Sequence, residues 1–316
     1  MDDTPQPSRK ILVALDGSRH SHNTLHYLAG LFADQADVGL HLLSLVTGAS
    51  LPPGSEWLSE AEQANMMSPQ TRKKLVAHQG FLHEAADFLT AQGVAPERVA
   101  REVGISSGSV SRDIANRARQ GRYDAVAVGR RGMTKLEEML LGSVSNDIFE
   151  YSHDIPLWVV DGRIDNQRFL VPVDKTPYAL LAVDHLAFML RGHPRAEITL
   201  FHSTAILAAP PRPAPEEFRR HWDPAWCEQH LDRPDSLFHA PRQILLDAGF
   251  PGERVSELET AKGFEPSRQI IRQALMDDYG TIVMGRRGPE AHKGIFRGVS
   301  DRVLLMAEQV AVWIVG

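Results

Sequence analysis

The sequence predicts an α/β fold built twice: two tandem domains, each a five-stranded parallel sheet with helices on both faces. Three observations carry this. The chain repeats itself, apolar runs alternate with helical patterns in each half, and 316 residues amount to about two domains of ordinary size. Residues 93–132 laid over 249–288, an offset of 156, give 13 identities in 40 positions, where average residue usage predicts roughly two or three. The matches include Glu97-Arg98-Val99 with Glu253-Arg254-Val255, Tyr123 with Tyr279, and Gly129-Arg130-Arg131-Gly132 with Gly285-Arg286-Arg287-Gly288. Asp16 pairs with Asp174 at an offset of 158 and Trp158 with Trp313 at 155. Residues 161–167 are polar and contain a glycine, as a short inter-domain connection does. The domains are therefore placed at 1–162 and 168–316.

Taken in order through the first half, Ile11–Leu15 reads as a strand, Ser21–Phe32 as a helix and Leu40–Val46 as the second strand. Val76–Thr90 is the second helix, Val99–Val103 the third strand and Ser111–Arg119 the third helix, with strands Ala125–Val128 and Leu157–Val160 completing the set. The strand runs are almost continuously apolar, the mark of strands buried on both faces. The helical segments carry apolar residues at three- and four-residue spacing. Such alternation requires crossover connections and so a parallel sheet. Ligands bind such sheets outside the carboxyl ends of the strands, where strand order reverses.

Composition narrows the function. With 40 acidic and 34 basic residues and a net charge of −6, the surface does not attract nucleic acid or an anionic membrane. One cysteine, Cys227, cannot close an intrachain disulfide, and the opening MDDTPQPSRK lacks the apolar core of a signal peptide. No apolar run reaches the roughly 18 residues of a membrane span. The expectation is a cytoplasmic chain that neither spans a membrane nor is exported.

The candidate chemistry lies in the loops. Asp16, in Leu15-Asp16-Gly17-Ser18, has two readings: it accepts backbone N–H groups at the start of the helix, or it accepts hydrogen bonds from a ligand's hydroxyl or amino groups. After the fourth strand, Gly129-Arg130-Arg131-Gly132 is followed by Gly142-Ser143-Val144-Ser145. Glycines admit an anion to backbone N–H groups and a helix N-terminus adds donors, which together make a phosphate cradle. The same glycines also serve tight turns. Arg130-Arg131 and Arg286-Arg287 either screen phosphate charge or point away as solvated side chains, and Lys135 is equally ambiguous. His20, His22 and His26 crowd one helix without an acidic or cysteine partner motif, so no metal site is assigned. Cys227 lacks a catalytic frame, and no phosphate-loop, dinucleotide-turn, nucleophile-elbow or zinc-helix motif is present. No catalytic residue is assigned.

The interval Gly-x2-Gly-x9-Gly-Ser after a strand ending Asp-Gly-Ser resembles the universal stress protein family in its ATP-binding branch. The resemblance covers both halves, and Pro156-Leu157-Trp158-Val159-Val160 also fits it. It implies that Asp16 and the backbone near Ala14 and Leu45 hold adenine and ribose. It further implies that Val128, Gly129, Gly132, Gly142, Ser143 and Val144 surround the phosphates of ATP, with Mg as companion ion. A weaker second site would use Pro172, Asp174, Gly285, Gly288 and Gly298. There the residue after Gly298 is Val299, so the hydroxyl of Ser143 has no counterpart, and Pro289 lacks an N–H. Ser300 remains available to that site.

The function expected from this resemblance is a stress-response regulator, a nucleotide-dependent switch read by an unidentified protein partner, with at most weak ATPase activity. The alternatives are a slow ATP hydrolase, using Arg131, Lys135 and Ser145, or a nucleotide-independent interaction scaffold. The last strands, Leu157–Val160 and Val312–Val315, are the expected seam of an internal pseudo-dimer, leaving room for further homo-oligomerisation. Two long connections, residues 47–70 and 208–241, read as loops that form lids or partner surfaces, or as padding; the second contains Trp222 and Trp226.

Overall fold

The apolar runs form parallel strands in both halves of a computed structural model, which describes residues 7–48, 67–106, 108–130, 144–145, 147–148, 153–205, 213–287 and 298–316. The chain divides into two compact units, Met1–Ile155 and Pro156–Gly316. The first unit runs β1 (Arg9–Ala14), α1 (Arg19–Phe32), β2 (Val38–Val46), α2 (Pro69–Ala91), β3 (Val99–Ile105), α3 (Val110–Gly121) and β4 (Ala125–Gly129). Its strands lie side by side as β3-β2-β1-β4, all parallel. Ile11, Val13, Leu42 and Ala125 to Ala127 are fully buried, as strands covered on both faces must be.

The second unit begins with β5 (Leu157–Val160) and β6 (Arg168–Pro172), followed by α4 (Pro177–Met189), β7 (Glu197–Phe201) and β8 (Ser203–Ala205). Helices α5 (Pro215–Arg219), α6 (Pro224–His230) and α7 (Ser236–Asp247) come next. Then follow β9 (Val255–Glu257), β10 (Ala261–Gly263), α8 (Pro266–Met276), β11 (Thr281–Gly285), α9 (Val299–Met306) and β12 (Ala311–Val315). The strand order is β5-β12-β11-β6-β7-β9, with β8 and β10 as a separate parallel pair. Reading 208–241 as a loop is corrected: among its described residues lie α5, α6 and the start of α7. Proline at the first turn of α5 and of α6, followed by apolar residues, marks helix starts that a count of prolines had suggested were loop. The connection 47–70 lies mostly outside the described residues.

The repeated Glu-Arg-Val has a structural role. Arg98 is buried and donates to the carbonyls of Phe32 at 3.0 Å, Ala33 at 2.9 Å and Val38 at 3.2 Å, closing the end of α1. Arg254 does the same after α4, donating to His193 O at 2.8 Å and Ala196 O at 3.4 Å. Helix-terminal carbonyls lack intrahelical partners, and a guanidinium satisfies several at once. Arg98→Ala is expected to cost about 2–3 kcal/mol, since buried carbonyls lose a charged donor; urea unfolding of the variant measures it.

Strand β5 is the one antiparallel member of the second unit's sheet, paired with β12 so that Leu157 faces Ile314, Trp158 faces Trp313 and Val159 faces Val312. Trp158 and Trp313 are both fully buried, their ring centroids 3.7 Å apart and their planes 1° apart. Trp158 Nε1 donates to His185 Nε2 at 3.2 Å, which leaves the His185 proton on Nδ1. Burial pushes the His185 pKa down to about 3. The unfolded chain, with an ordinary histidine near 6.5, therefore binds a proton that the folded chain refuses between these values. Stability contributed by this group is full above about pH 6.5 and is lost as pH falls toward 3. His185→Phe is expected to flatten that slope in unfolding curves taken across the range.

Candidate functional site

In the first unit the strand order reverses between β1 and β4, and a pocket opens at their carboxyl ends. Ala14, Leu15 and Asp16 line it from the end of β1, Leu43 and Leu45 from β2, and Val128 and Gly129 from β4. Val110 and Ile114 on α3 close one side, and Val144 and Ser145 another. Six residues expected from the sequence, Ala14, Asp16, Leu45, Val128, Gly129 and Val144, therefore meet in one space. Gly132, Gly142 and Ser143 lie outside the described residues, as do Arg131, Lys135, Gly288 and Pro289.

Asp16 carries out its local task with one oxygen. Its Oδ1 accepts from the Ser18 N–H at 3.0 Å and the Ser21 hydroxyl at 2.7 Å, and Ser21 Oγ in turn accepts the Asp16 N–H at 3.0 Å. Ser18 is the N-cap of α1. Gly17 has φ of +77°, a conformation that brings the chain round between the aspartate and the cap. Among the described residues Oδ2 has no partner, so both readings of Asp16 are structurally compatible. Below it, Ser44 Oγ donates to Leu15 O at 2.8 Å and lies 2.9 Å from His78 Nδ1. Burial, helped by the charge of Lys74, pushes the His78 pKa down. A neutral imidazole whose Nδ1–H donates to Ser44 fits both bonds.

Gly129 is needed by the packing. A Cβ there would stand 2.9 Å from His20 Cβ and 3.1 Å from the His20 carbonyl carbon, where α1 begins against β4. Ser145 Oγ donates to the Gly129 carbonyl at 3.1 Å. His20 thus packs on a glycine, while His22 sits edge-on to Phe88 with centroids 6.4 Å apart.

The second unit repeats the aspartate turn. Asp174 Oδ1 accepts from the Thr176 N–H at 3.3 Å and from its hydroxyl, and Thr176 caps α4. His202 Nδ1 donates to Val173 O at 2.6 Å, the place that Ser44 holds in the first unit. A Cβ on Gly285 would stand inside contact distance of the Tyr178 carbonyl and 3.0 Å from Ala179 N. Pro172 ends β6 and Gly298 caps α9. The cavity that Asp174 does line, about 290 Å³, is bordered among the described residues by none of Pro172, Gly285 and Gly298.

The arginine readings need correction. Arg130 and Arg286 are buried, so neither is a solvated side chain. Arg286 Nε lies 4.0 Å from Asp301 Oδ1, and the Arg286 N–H donates to Val315 O at 2.7 Å. The Gly298 N–H donates to Asp301 Oδ2 at 2.9 Å, so this carboxylate ties the start of α9 to the end of β11. Arg287 is exposed. The sequence reading missed the apolar walls Leu43, Val110 and Ile114. The two-residue alternation of Leu43 with Leu45 on one face of β2 was the available signal.

Comparison with known proteins agrees with this architecture. The universal stress protein family model matches residues 7–161 and 165–315. A universal stress protein of Mycobacterium tuberculosis is 23% identical over 316 residues, covering 97% of this chain and 95% of that one. Another, of Bacillus subtilis, is 29% identical over 147 residues, covering 45% of this chain and 93% of its own. The crystal structure of a universal stress protein from Archaeoglobus fulgidus shares the fold with a TM-score of 0.62 at 18% identity, over 97% of both chains. No helix among the described residues is long and apolar enough to cross a membrane. With each half matched by the same family model along nearly its whole length, the chain belongs to the universal stress protein family.

Proposed function

We propose that the N-terminal unit binds an adenine nucleotide, ATP with Mg, and that the chain acts as a cytoplasmic, nucleotide-dependent stress-response switch read by a protein partner. The observation that carries this is the convergence of Ala14, Asp16, Leu45, Val128, Gly129 and Val144 on one pocket where the strand order reverses. The donor chemistry fits. Asp16 Oδ2 accepts ribose hydroxyls while Oδ1 keeps the turn, and Leu43, Leu45, Val110 and Ile114 supply apolar walls for a flat base. The family resemblance assigns the phosphates to Gly129, which borders the pocket, together with Gly132, Gly142 and Ser143. In this reading Mg enters on the phosphates, as it commonly does at nucleotide sites. The second site, with Pro172, Asp174, Gly285, Gly288 and Gly298, is the weaker one.

Calorimetric titration of the purified chain with Mg-ATP tests this. One site per chain is expected, lost in Gly132→Val, retained in Gly288→Val and weakened in Asp16→Ala. A second reading, a nucleotide-independent scaffold, is favoured by the demand that helix packing places on Gly129 and Gly285. No binding at millimolar Mg-ATP, from protein shown to be nucleotide-free, decides for that scaffold. Hydrogen exchange with and without nucleotide tests the switch, which fails if the loops around the pocket keep the same protection.

A further inference from the structure

The cavity beside Asp174 opens on the second unit's counterpart of the Asp16 turn, with Val173, Asp174, Thr176 and Ala179 standing where Leu15, Asp16, Ser18 and Ser21 stand in the first unit, and extends from there to α5, α6 and α7. Its walls are α4, α5, α6 and α7, where α4 and α7 follow the first two strands of their repeat just as α1 and α2 do. The pocket of the first unit takes helical residues from α1, through Ser21, and from α3. At about 290 Å³ the cavity beside Asp174 lies at the lower end of the range of small-molecule sites.

Its chemistry is apolar. Leu180, Phe218, Leu231, Leu237, Ala240 and Pro241 provide the surface. The polar groups inside are already committed or uncharged. The Thr176 hydroxyl donates to Asp174 and accepts the Ala179 N–H, and burial pushes the Cys227 thiol pKa up, keeping it neutral. Charges of both signs, Lys175 and Arg219 with Glu228 and Asp232, are exposed around it, so no single-sign field selects an ion. The outer wall is fastened in place. His230 Nδ1 lies 2.9 Å from His239 Nε2, joining α6 to α7, and Trp226 Nε1 donates to Asp247 at 3.2 Å. Trp222 stacks on Trp226 with centroids 6.0 Å apart. An apolar cavity with a braced wall is a preformed site.

We propose that the C-terminal unit binds a neutral, predominantly apolar small molecule between α4 and the α5–α7 helices. This site shares Asp174 with the weaker nucleotide site proposed above and takes a different class of ligand. The apolar lining disfavours a triphosphate, whose charge would lose its hydration against Leu180, Phe218, Leu231 and Leu237.

The test uses the full chain and the neutral fluorophore N-phenyl-1-naphthylamine, with the one thiol of the sequence as reporter. Saturable binding at one site per chain is expected, unaffected by Mg-ATP, together with slower alkylation of Cys227 by N-ethylmaleimide as read by intact mass. Leu237→Trp, which fills the cavity from its wall, is expected to weaken the probe about tenfold or more while leaving the Mg-ATP titration as in the parent chain. Absence of saturable binding, undiminished binding in a folded Leu237→Trp, or displacement by Mg-ATP overturns the proposal. Should Leu237→Trp fail to fold, the parent chain decides: an alkylation rate unchanged at saturating probe overturns it as well.

Discussion

Trp158→Ala is expected to lower the unfolding free energy by about 3–5 kcal/mol, the range for removing a fully buried tryptophan. The loss has three sources. The indole gives up its stack on Trp313, at 3.7 Å between centroids, and leaves a void between β5 and β12 that neighbouring side chains cannot fill. It also takes away the donor on which His185 Nε2 relies at 3.2 Å. Trp158→Phe separates these, since it keeps most of the apolar volume and loses only the donor. A double-mutant cycle with Trp313→Ala is expected to give a coupling of about 1 kcal/mol from the ring pair. Urea unfolding measures all four chains. A loss below about 1 kcal/mol for Trp158→Ala would mean that this seam contributes little to the fold.

Gly285→Ala, a change of one methyl group, is expected to destabilise the second unit by about 3 kcal/mol, at the top of the usual range for overpacking. The reason lies in what the new Cβ would meet. Its nearest neighbour is the Tyr178 carbonyl, backbone in the first turn of α4, with Ala179 N at 3.0 Å. A flexible side chain could swing aside, whereas a helix turn capped by Thr176 and anchored by the Asp174 turn moves only as a body. Gly129→Ala should cost less, because its closest contact, at 2.9 Å, is the Cβ of His20. Denaturant titration of the two variants gives the order directly. If Gly285→Ala unfolds like the parent chain while nucleotide binding changes, the glycine serves a ligand and the packing argument fails.

The two glycines show where sequence reading reached its limit. The repeat and the strand pattern identified the ends of β4 and β11 correctly, because long apolar runs bounded by glycine have few other arrangements. The spacing of Gly129 and Gly132 spoke of an anion, however, and could not show that the first of them is also the seat of a helix. That contact joins residues far apart in sequence, Gly129 with His20 and Gly285 with Tyr178, and nothing local announces it. The turn role of Asp16 was legible for the opposite reason: the cap and the turn are local, so Ser18 and Ser21 stand beside it in the chain. Arg130 and Arg286 misled because charge is ordinarily a sign of exposure, and their burial depends on tertiary neighbours such as Asp301. The α5–α6 helices were hidden by prolines that start helices as readily as they interrupt them.

The pairing of β5 with β12 within the second unit bears the mark of the sequence repeat. With the offset of 155, Leu157 corresponds to Val312 and Val159 to Ile314, and the observed neighbours are Leu157 with Ile314 and Val159 with Val312. Each position faces the counterpart of its partner, as surfaces do between identical subunits. An assembly of identical chains must duplicate every change it accepts, so a pocket lost in one copy is lost in both. Fusion of the copies in one chain lifts that constraint. The two repeats already differ in this way, with Val299 in the second where the first has Ser143 after its glycine.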